Sequence, residues 1–160
     1  MIAPITAAHL DAVLALNNQH AKETSELDLS GLRDLVGTSF AALQAGEGEA
    51  GFLIAVTQDA DYDSPNFLWF QERYDTFVYV DRVVVSASHR GEGYARQFYE
   101  ALFQKARAAG HTAITCEVNV DPPNPASDAF HERMGFLEVG RAELPGRGKT
   151  VRYLVKDTSL

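Results

Sequence analysis

The apolar positions of this 160-residue chain change period along its length, and the changes mark out the elements. Met1 to Thr6 reads as a short first strand, with Thr6 placed to cap the next segment. From Ala8 to about His20, Leu10, Val13, Leu14 and Leu16 recur at helical spacing, so one face of a helix is buried. Asn17, Asn18 and Gln19 close that helix, either as a plain helix end or as a loop that meets a ligand. Thr24 to Gly31 is polar, and Ser30 is expected to cap a second helix bearing Leu32, Leu35 and Val36. Phe40 to Leu43 fits a helix or a strand, and its periodicity leaves both open. Gly51 to Thr57 reads as a strand, and Gln58 to Ser64 as an acidic, turn-rich connection.

Pro65 to Tyr74 is unusually aromatic, and Pro65 suits the first turn of a short helix. Phe77 to Val85 alternates too little for a half-exposed strand, which predicts a central strand covered on both faces. Asp81 and Arg82 interrupt it, and a charge there is costly unless it is paired or lies at a site. Ser86 to Gly93 is a glycine-bearing loop, followed by a helix from Tyr94 to Ala109 with Phe98, Leu102, Phe103 and Ala106 inward and Gly110 as its stop. Ala113 to Val120 is a strand, and Asp121 to Pro125 is a rigid, proline-rich turn. Ser127 to Met134 is a short helix. Phe136 to Arg141 and Lys149 to Val155 are strands joined by the turn Pro145-Gly146-Arg147-Gly148.

Length and composition suit one domain over residues 1–160 with a real core. A formal charge of −8 weighs against sequence-independent nucleic-acid binding and is compatible with a cationic partner. No stretch approaches membrane-spanning length, so no membrane association is expected. A single cysteine, Cys116, excludes an internal disulfide and fits a reducing, cytoplasmic setting. The five histidines show no metal-ligand spacing, and no Gly-x-Ser-x-Gly elbow is present. His111, beside Gly110, reads as a helix-end residue.

The strand–loop–helix unit around Gly91 and Gly93 points backbone N–H groups and a helix start at one spot, which favours phosphate or pyrophosphate. It lacks the lysine of a Walker loop and the third glycine of a dinucleotide fingerprint. What it does carry, Arg90-x-x-Gly93-x-Ala95, resembles the Arg/Gln-x-x-Gly-x-Gly/Ala loop of the GNAT family of acetyl-CoA-dependent N-acetyltransferases. Asn124, Ser127, Phe130 and Gly135-Phe136 resemble that family's Asn-x-x-Ala-x-x-Leu-Tyr-x-x-x-Gly-Phe segment, with His131 in place of the tyrosine. The order of elements matches over nearly the whole chain.

The resemblance implies an α/β (α+β) GNAT fold: a central, mixed but mostly antiparallel sheet of about seven strands, helices on both faces, splayed at the cofactor cleft. It favours a strand at Phe40 to Leu43, with Gly46-Glu47-Gly48 as the hairpin turn. It implies acetyl-CoA as cosubstrate, held by the loop Arg90, Gly91, Glu92, Gly93, Tyr94, Ala95 and Arg96, by backbone groups of Val83, Val84 and Val85, and by Asn124 and Ser127. Asp81, with Tyr79 on its face of the strand, is the nearest match to the family's base, and Glu117 is the second. His131 stands where many members keep the acid for the departing thiolate, and an imidazolium suits that task. Cys116 reads as a buried inert thiol rather than an acyl-carrying nucleophile. The aromatic Pro65 to Tyr74 segment either packs a loop onto the core or walls the acceptor pocket, where its rings can face a cation. The implied reaction is direct acetyl transfer to a primary amine of a small molecule or peptide. A non-catalytic acyl-CoA sensor or interaction module with the same fold is the alternative, and a homodimer is left open.

Overall fold

The computed structural model describes residues 1–22, 24–146 and 148–159. Seven strands are present: β1 (Ala3–Pro4), β2 (Ala41–Ala45), β3 (Gly51–Thr57), β4 (Val78–Val85), β5 (Ala113–Asp121), β6 (Leu137–Leu144) and β7 (Lys149–Asp157). They form one sheet in the order β1-β2-β3-β4-β5-β7-β6. Every neighbouring pair is antiparallel except β4 and β5, which are parallel. The helices are α1 (Leu10–Gln19), α2 (Leu29–Thr38), α3 (Pro65–Gln71), α4 (Tyr94–Ala108) and α5 (Pro125–Arg133).

The central strands are apolar on both faces because two separate cores sandwich them. Along β3, Phe52, Ile54 and Val56 face a core shared with Leu10, Val13 and Leu16 of α1, Leu32 and Leu35 of α2, and Phe67 and Phe70 of α3. Leu53 and Ala55 face the opposite core, with Phe98, Leu102, Phe103 and Ala106 of α4 and Phe136 beyond α5. Period-two alternation delivers each set to its own layer. Burying each of the larger α4 side chains contributes about 1.5–3 kcal/mol.

Local chemistry moves several expected boundaries. The first strand pairs only at Ala3 and Pro4, opposite Gln44 and Leu43. The chain then makes a single 3-10 turn at Ala7–His9, where the Thr6 N–H donates to His9 Nδ1 at 3.0 Å, before α1 begins. The second helix is capped by Asp28 rather than Ser30: Asp28 Oδ1 accepts from the Gly31 N–H at 2.7 Å, leaving Ser30 inside the first turn. A carboxylate at that position also meets the positive end of the helix dipole. Phe40 to Leu43 resolves as the approach to β2 and its first half, and a single turn at Gly46–Gly48 leads into β3. Of the turn expected at 145–148, Arg147 lies outside the described residues.

Gly140 of β6 takes its reason from α3. A Cβ there would stand 2.4 Å from Trp69 Cζ2, so only glycine lets the indole lie against the strand. Trp69 stacks on Tyr153 of β7 with ring centroids 4.1 Å apart, and Arg73 covers its other face at 4.1 Å.

Candidate active site

Two irregularities in the sheet create the site. The first is a bulge in β4: Ile54 pairs with Arg82 and Ala55 with Val80, so Asp81 is the extra residue. Before it Tyr79 faces the α1–α3 core, and after it Val84 does, so the parity of the strand changes at this point. Asp81 and Arg82 thereby turn to the same side, which adjacent residues of a regular strand cannot do. The second is the parallel pair β4–β5, joined only at Val78–Ile114 and Tyr79–Thr115. Thr115 Oγ1 fastens this junction by donating to the Val78 carbonyl at 3.1 Å. Beyond it the strands diverge, and the edge of each that faces the gap carries unpaired backbone donors and acceptors.

On the α4 side the gap opens into a groove of about 570 Å³. Val83 and Val85 line it, whereas Val84 turns its side chain into the opposite core and can offer only backbone there. Gly91 and Gly93 both have φ of +82°, a backbone that favours glycine, and a Cβ on Gly91 would meet nothing within 4 Å. Gly93 is the residue before α4, and no side chain among the described residues caps the helix, so its first N–H groups face the groove. Tyr94, Ala95, Arg90, Arg96 and Arg133 also line it, with Arg96 Nε donating to Glu100 at 2.9 Å. Glu92 is exposed on the loop and does not line the groove. Open space above positive-φ glycines, free amides at a helix start and three cations fit a pyrophosphate.

On the other side lies a polar cleft of about 180 Å³. Glu117 of β5 sits deep in it and keeps some exposure through the cleft. Its carboxyl accepts from the Tyr79 hydroxyl at 2.8 and 2.9 Å and from Asn66 Nδ2 at 3.2 Å, and Asn66 Oδ1 in turn accepts from Tyr153. No cation among the described residues pairs with it. Burial pushes the Glu117 carboxyl up to about 7, against the opposing pull of the Tyr79 hydrogen bonds. Asp81 is differently occupied. One of its oxygens accepts from Arg82 Nε at 2.7 Å and the other from the Tyr62 hydroxyl, with the Asp81 and Arg82 side chains each only 4% exposed. Cys116 and Asn119 also line the cleft; burial pushes the Cys116 thiol well up, as suits an unreactive core residue.

Groove and cleft meet at Val83, Ser127 and His131, which line both. Asn124 caps α5, its side chain accepting from the Ser127 N–H at 3.3 Å, and faces the cleft rather than the groove. His131 Nδ1 lies 2.8 Å from the Ser127 carbonyl, which can only accept, so that nitrogen carries the proton. Its Nε2 lies 2.8 Å from the Tyr99 hydroxyl of α4. Burial lowers the pKa of the ring, so at neutral pH it is an imidazole that accepts from Tyr99. Burial likewise raises the Tyr99 phenol and keeps it protonated.

Sequence reasoning passed over Tyr99, Asn66 and Tyr62. Tyr99 did leave a signal: it adjoins the apolar face of α4, and a buried phenol needs a partner. Asn66 is the polar residue at the start of an aromatic helix. Its amide reaches the cleft while Phe67 and Phe70 enter the core, so the rings of α3 pack the segment onto the core and Asn66 alone of this helix lines the cleft.

The sequence profile of the Acetyltransferase (GNAT) family matches residues 17–136. No functionally curated protein sequence matches the chain significantly. Among solved structures, the chain is similar to NAA60 of Arabidopsis thaliana in complex with acetyl-CoA, with a TM-score of 0.76, 16% identity, and 98% of each chain covered. It is similar to the ribosomal-protein-alanine N-acetyltransferase of Brucella melitensis, with a TM-score of 0.73, 23% identity, and 98% of this chain and 99% of that one covered. Ard1 of Thermoplasma volcanium gives a TM-score of 0.75 at 14% identity, over 98% and 96% of the two chains. At such identities the structures share a fold. The profile match, the splayed sheet and the glycine loop at its mouth together show that the chain belongs to the GNAT acetyltransferase family, whose cosubstrate is acetyl-CoA.

Proposed function

We propose that the chain is an N-acetyltransferase that moves the acetyl group of acetyl-CoA directly onto a primary amine. The observation that carries this reading is the junction itself. A groove shaped for a pyrophosphate and a cleft holding a high-pKa carboxyl share Val83, Ser127 and His131 as a common wall. An acyl group lying along the unpaired edge of β4 would meet an amine from the cleft at that wall.

Backbone N–H groups on that edge, near Val83 to Val85, are suited to hold the charge that develops on the acyl oxygen as the carbon–nitrogen bond forms. Glu117 takes the proton that the attacking amine loses. Asp81 is the weaker choice for that role, because Arg82 and Tyr62 already occupy both its oxygens. As the carbon–sulfur bond breaks, the thiolate gains a proton. We assign its delivery to the Tyr99 hydroxyl, which lines the cleft beside the junction and whose proton His131 Nε2 otherwise accepts. The proton that Glu117 took from the amine leaves to solvent and solvent restores the phenol, so the turnover closes. Cys116 takes no part.

One observation favours the non-catalytic alternative: the residue at the acid position is a buried imidazole held neutral by its surroundings. The deciding experiment measures thiol release from acetyl-CoA over a panel of primary amines, including peptides that begin with alanine. Turnover is expected with at least one acceptor. His131→Phe and Tyr99→Phe should each lower it, and the double variant should lose less than the two losses combined. Tight acetyl-CoA binding without thiol release across the panel would establish the sensor instead.

A further inference from the structure

The hub of the acceptor cleft is the ion pair that sequence reasoning reads as an anomaly. Because the bulge turns Asp81 and Arg82 to one side, the guanidinium of Arg82 spreads over several elements at once. Beyond its 2.7 Å bond to Asp81, it donates to Asn17 Oδ1 at 3.0 Å, to the Ser25 carbonyl at 3.3 Å and to Ser25 Oγ at 3.2 Å. The amides that close α1 continue this scaffold. Asn17 Nδ2 donates to the Ser25 carbonyl at 2.8 Å, and Asn18 bonds both the N–H and the carbonyl of Leu27 at 3.0 Å. The connection between α1 and α2 is therefore strung on Arg82, and Thr24 in that connection lines the cleft. A second wall of the cleft, at Asn66, hangs from the same pair. Tyr62, in the connection leading to α3, donates to Asp81, and its ring packs edge-on against Phe67, the neighbour of Asn66.

The geometry points to Arg82, through Asp81 and Tyr62, as the positioning residue that sets the width of the acceptor cleft by clamping both its walls to the β4 bulge. A buried ion pair is weak as a source of stability compared with apolar packing, which makes a positioning role the better reason for its presence. The fork of the guanidinium matters as much as its charge. A lysine ammonium has the charge but cannot present the same planar array of donors to Asn17, Ser25 and Asp81 together. The inference rests on the cleft being where the amine binds, and it is otherwise independent of which carboxylate acts as base.

Two variants test it, Arg82→Lys and Tyr62→Phe, the second removing a single hydroxyl should the first fail to fold. With any acceptor that the wild-type chain turns over, the acceptor KM is expected to rise about tenfold in each, the loss of a hydrogen bond to a charged group. The acetyl-CoA KM and the pH profile of kcat should stay within about twofold, since neither groove nor Glu117 is touched. Hydrogen exchange at residues 24–28 and 58–64 should quicken in Arg82→Lys, and at 58–64 in Tyr62→Phe, with residues 90–96 unchanged. A fall in kcat with an altered pH profile and an unchanged acceptor KM would make Asp81 part of the chemistry and overturn the clamp. Exchange as slow as in the wild type would also overturn it. If the wild-type chain acetylates nothing, the proposed activity falls and the exchange measurement alone decides the clamp.

Discussion

A carboxyl group that titrates near 7 is half charged at neutral pH, so it can take a proton from an amine and release it again within a turnover. Glu117 reaches that value by burial, from an ordinary value of 4.5, and the same burial has a cost in stability. The folded chain holds the proton more tightly than the unfolded one. Stability from this group is therefore fully present below about pH 4.5 and is lost as pH rises to about 7. Glu117→Gln keeps an oxygen for Tyr79 and Asn66 but removes the charge. Its melting temperature is expected to match the wild type near pH 4 and to exceed it at pH 8, by roughly 1–3 kcal/mol of stability. The same variant should lose on the order of a hundredfold or more in thiol release, and with it the limb of the rate profile that rises towards pH 7. His131 has the opposite sign: its lowered pKa means stability lost as pH falls below the ordinary histidine range. Motif and strand position marked Glu117 and His131 as candidates, and both line the cleft. Tyr99 and Asn66 were not marked, since what ties them to the cleft is a partner 32 or 51 residues away in sequence.

At the scale of elements, α3 shows how a core segment can serve a site. Phe67 and Phe70 anchor it, Trp69 slides into the space left by Gly140, and Asn66 is thereby aimed at Glu117. Gly140→Ala places a methyl group inside van der Waals distance of the indole, so α3 must shift. We expect a loss of about 1–3 kcal/mol, read as a lower melting temperature, together with slower acetyl transfer. Trp69→Leu in the same background should recover part of the stability by vacating that space. The aromatic run in the sequence left two roles for this helix open because its rings and its amide point to different layers. Gly140 carried no signal at all: a glycine in a strand acquires meaning only from what approaches it. The bulge was half legible. Two charges inside an apolar strand announced a disturbance, but the loss of parity at Asp81 depends on the register with β3.

For the whole molecule, element order was readable from periodicity, while strand order was not. The placement of β7 between β5 and β6, and the parting of β4 from β5, are decided by pairings between distant segments. A ligand lying in that parting would touch both halves of the sheet. At about one hundred times its Kd, acetyl-CoA should stabilise the fold by roughly 2.7 kcal/mol. Amide exchange should slow along both edges of the gap, at residues 80–85 and 116–121, as well as in the loop at 90–96. Slowing confined to 90–96 would mean that the cosubstrate grips the loop without bridging the strands. High salt should weaken its binding, because three arginines attract the anion to a chain whose formal charge is −8.

The short parallel contact between β4 and β5 has a genetic consequence. All four strands on one side of it are encoded before Gly110 and all three on the other side after it, so the seam in the sheet is also a seam in the gene. A crossover between relatives in the connection from α4 to β5 would trade the segment bearing Glu117, His131 and β7 against the segment bearing the glycine loop. Only the ladder at Val78–Ile114 and Tyr79–Thr115 would join strands of different parentage. Recombination at that one connection would thus keep the glycine loop with the Thr24, Asn66 and Arg82 side of the cleft, exchange its Glu117 and His131 side, and leave every strand beside at least one neighbour of its own descent.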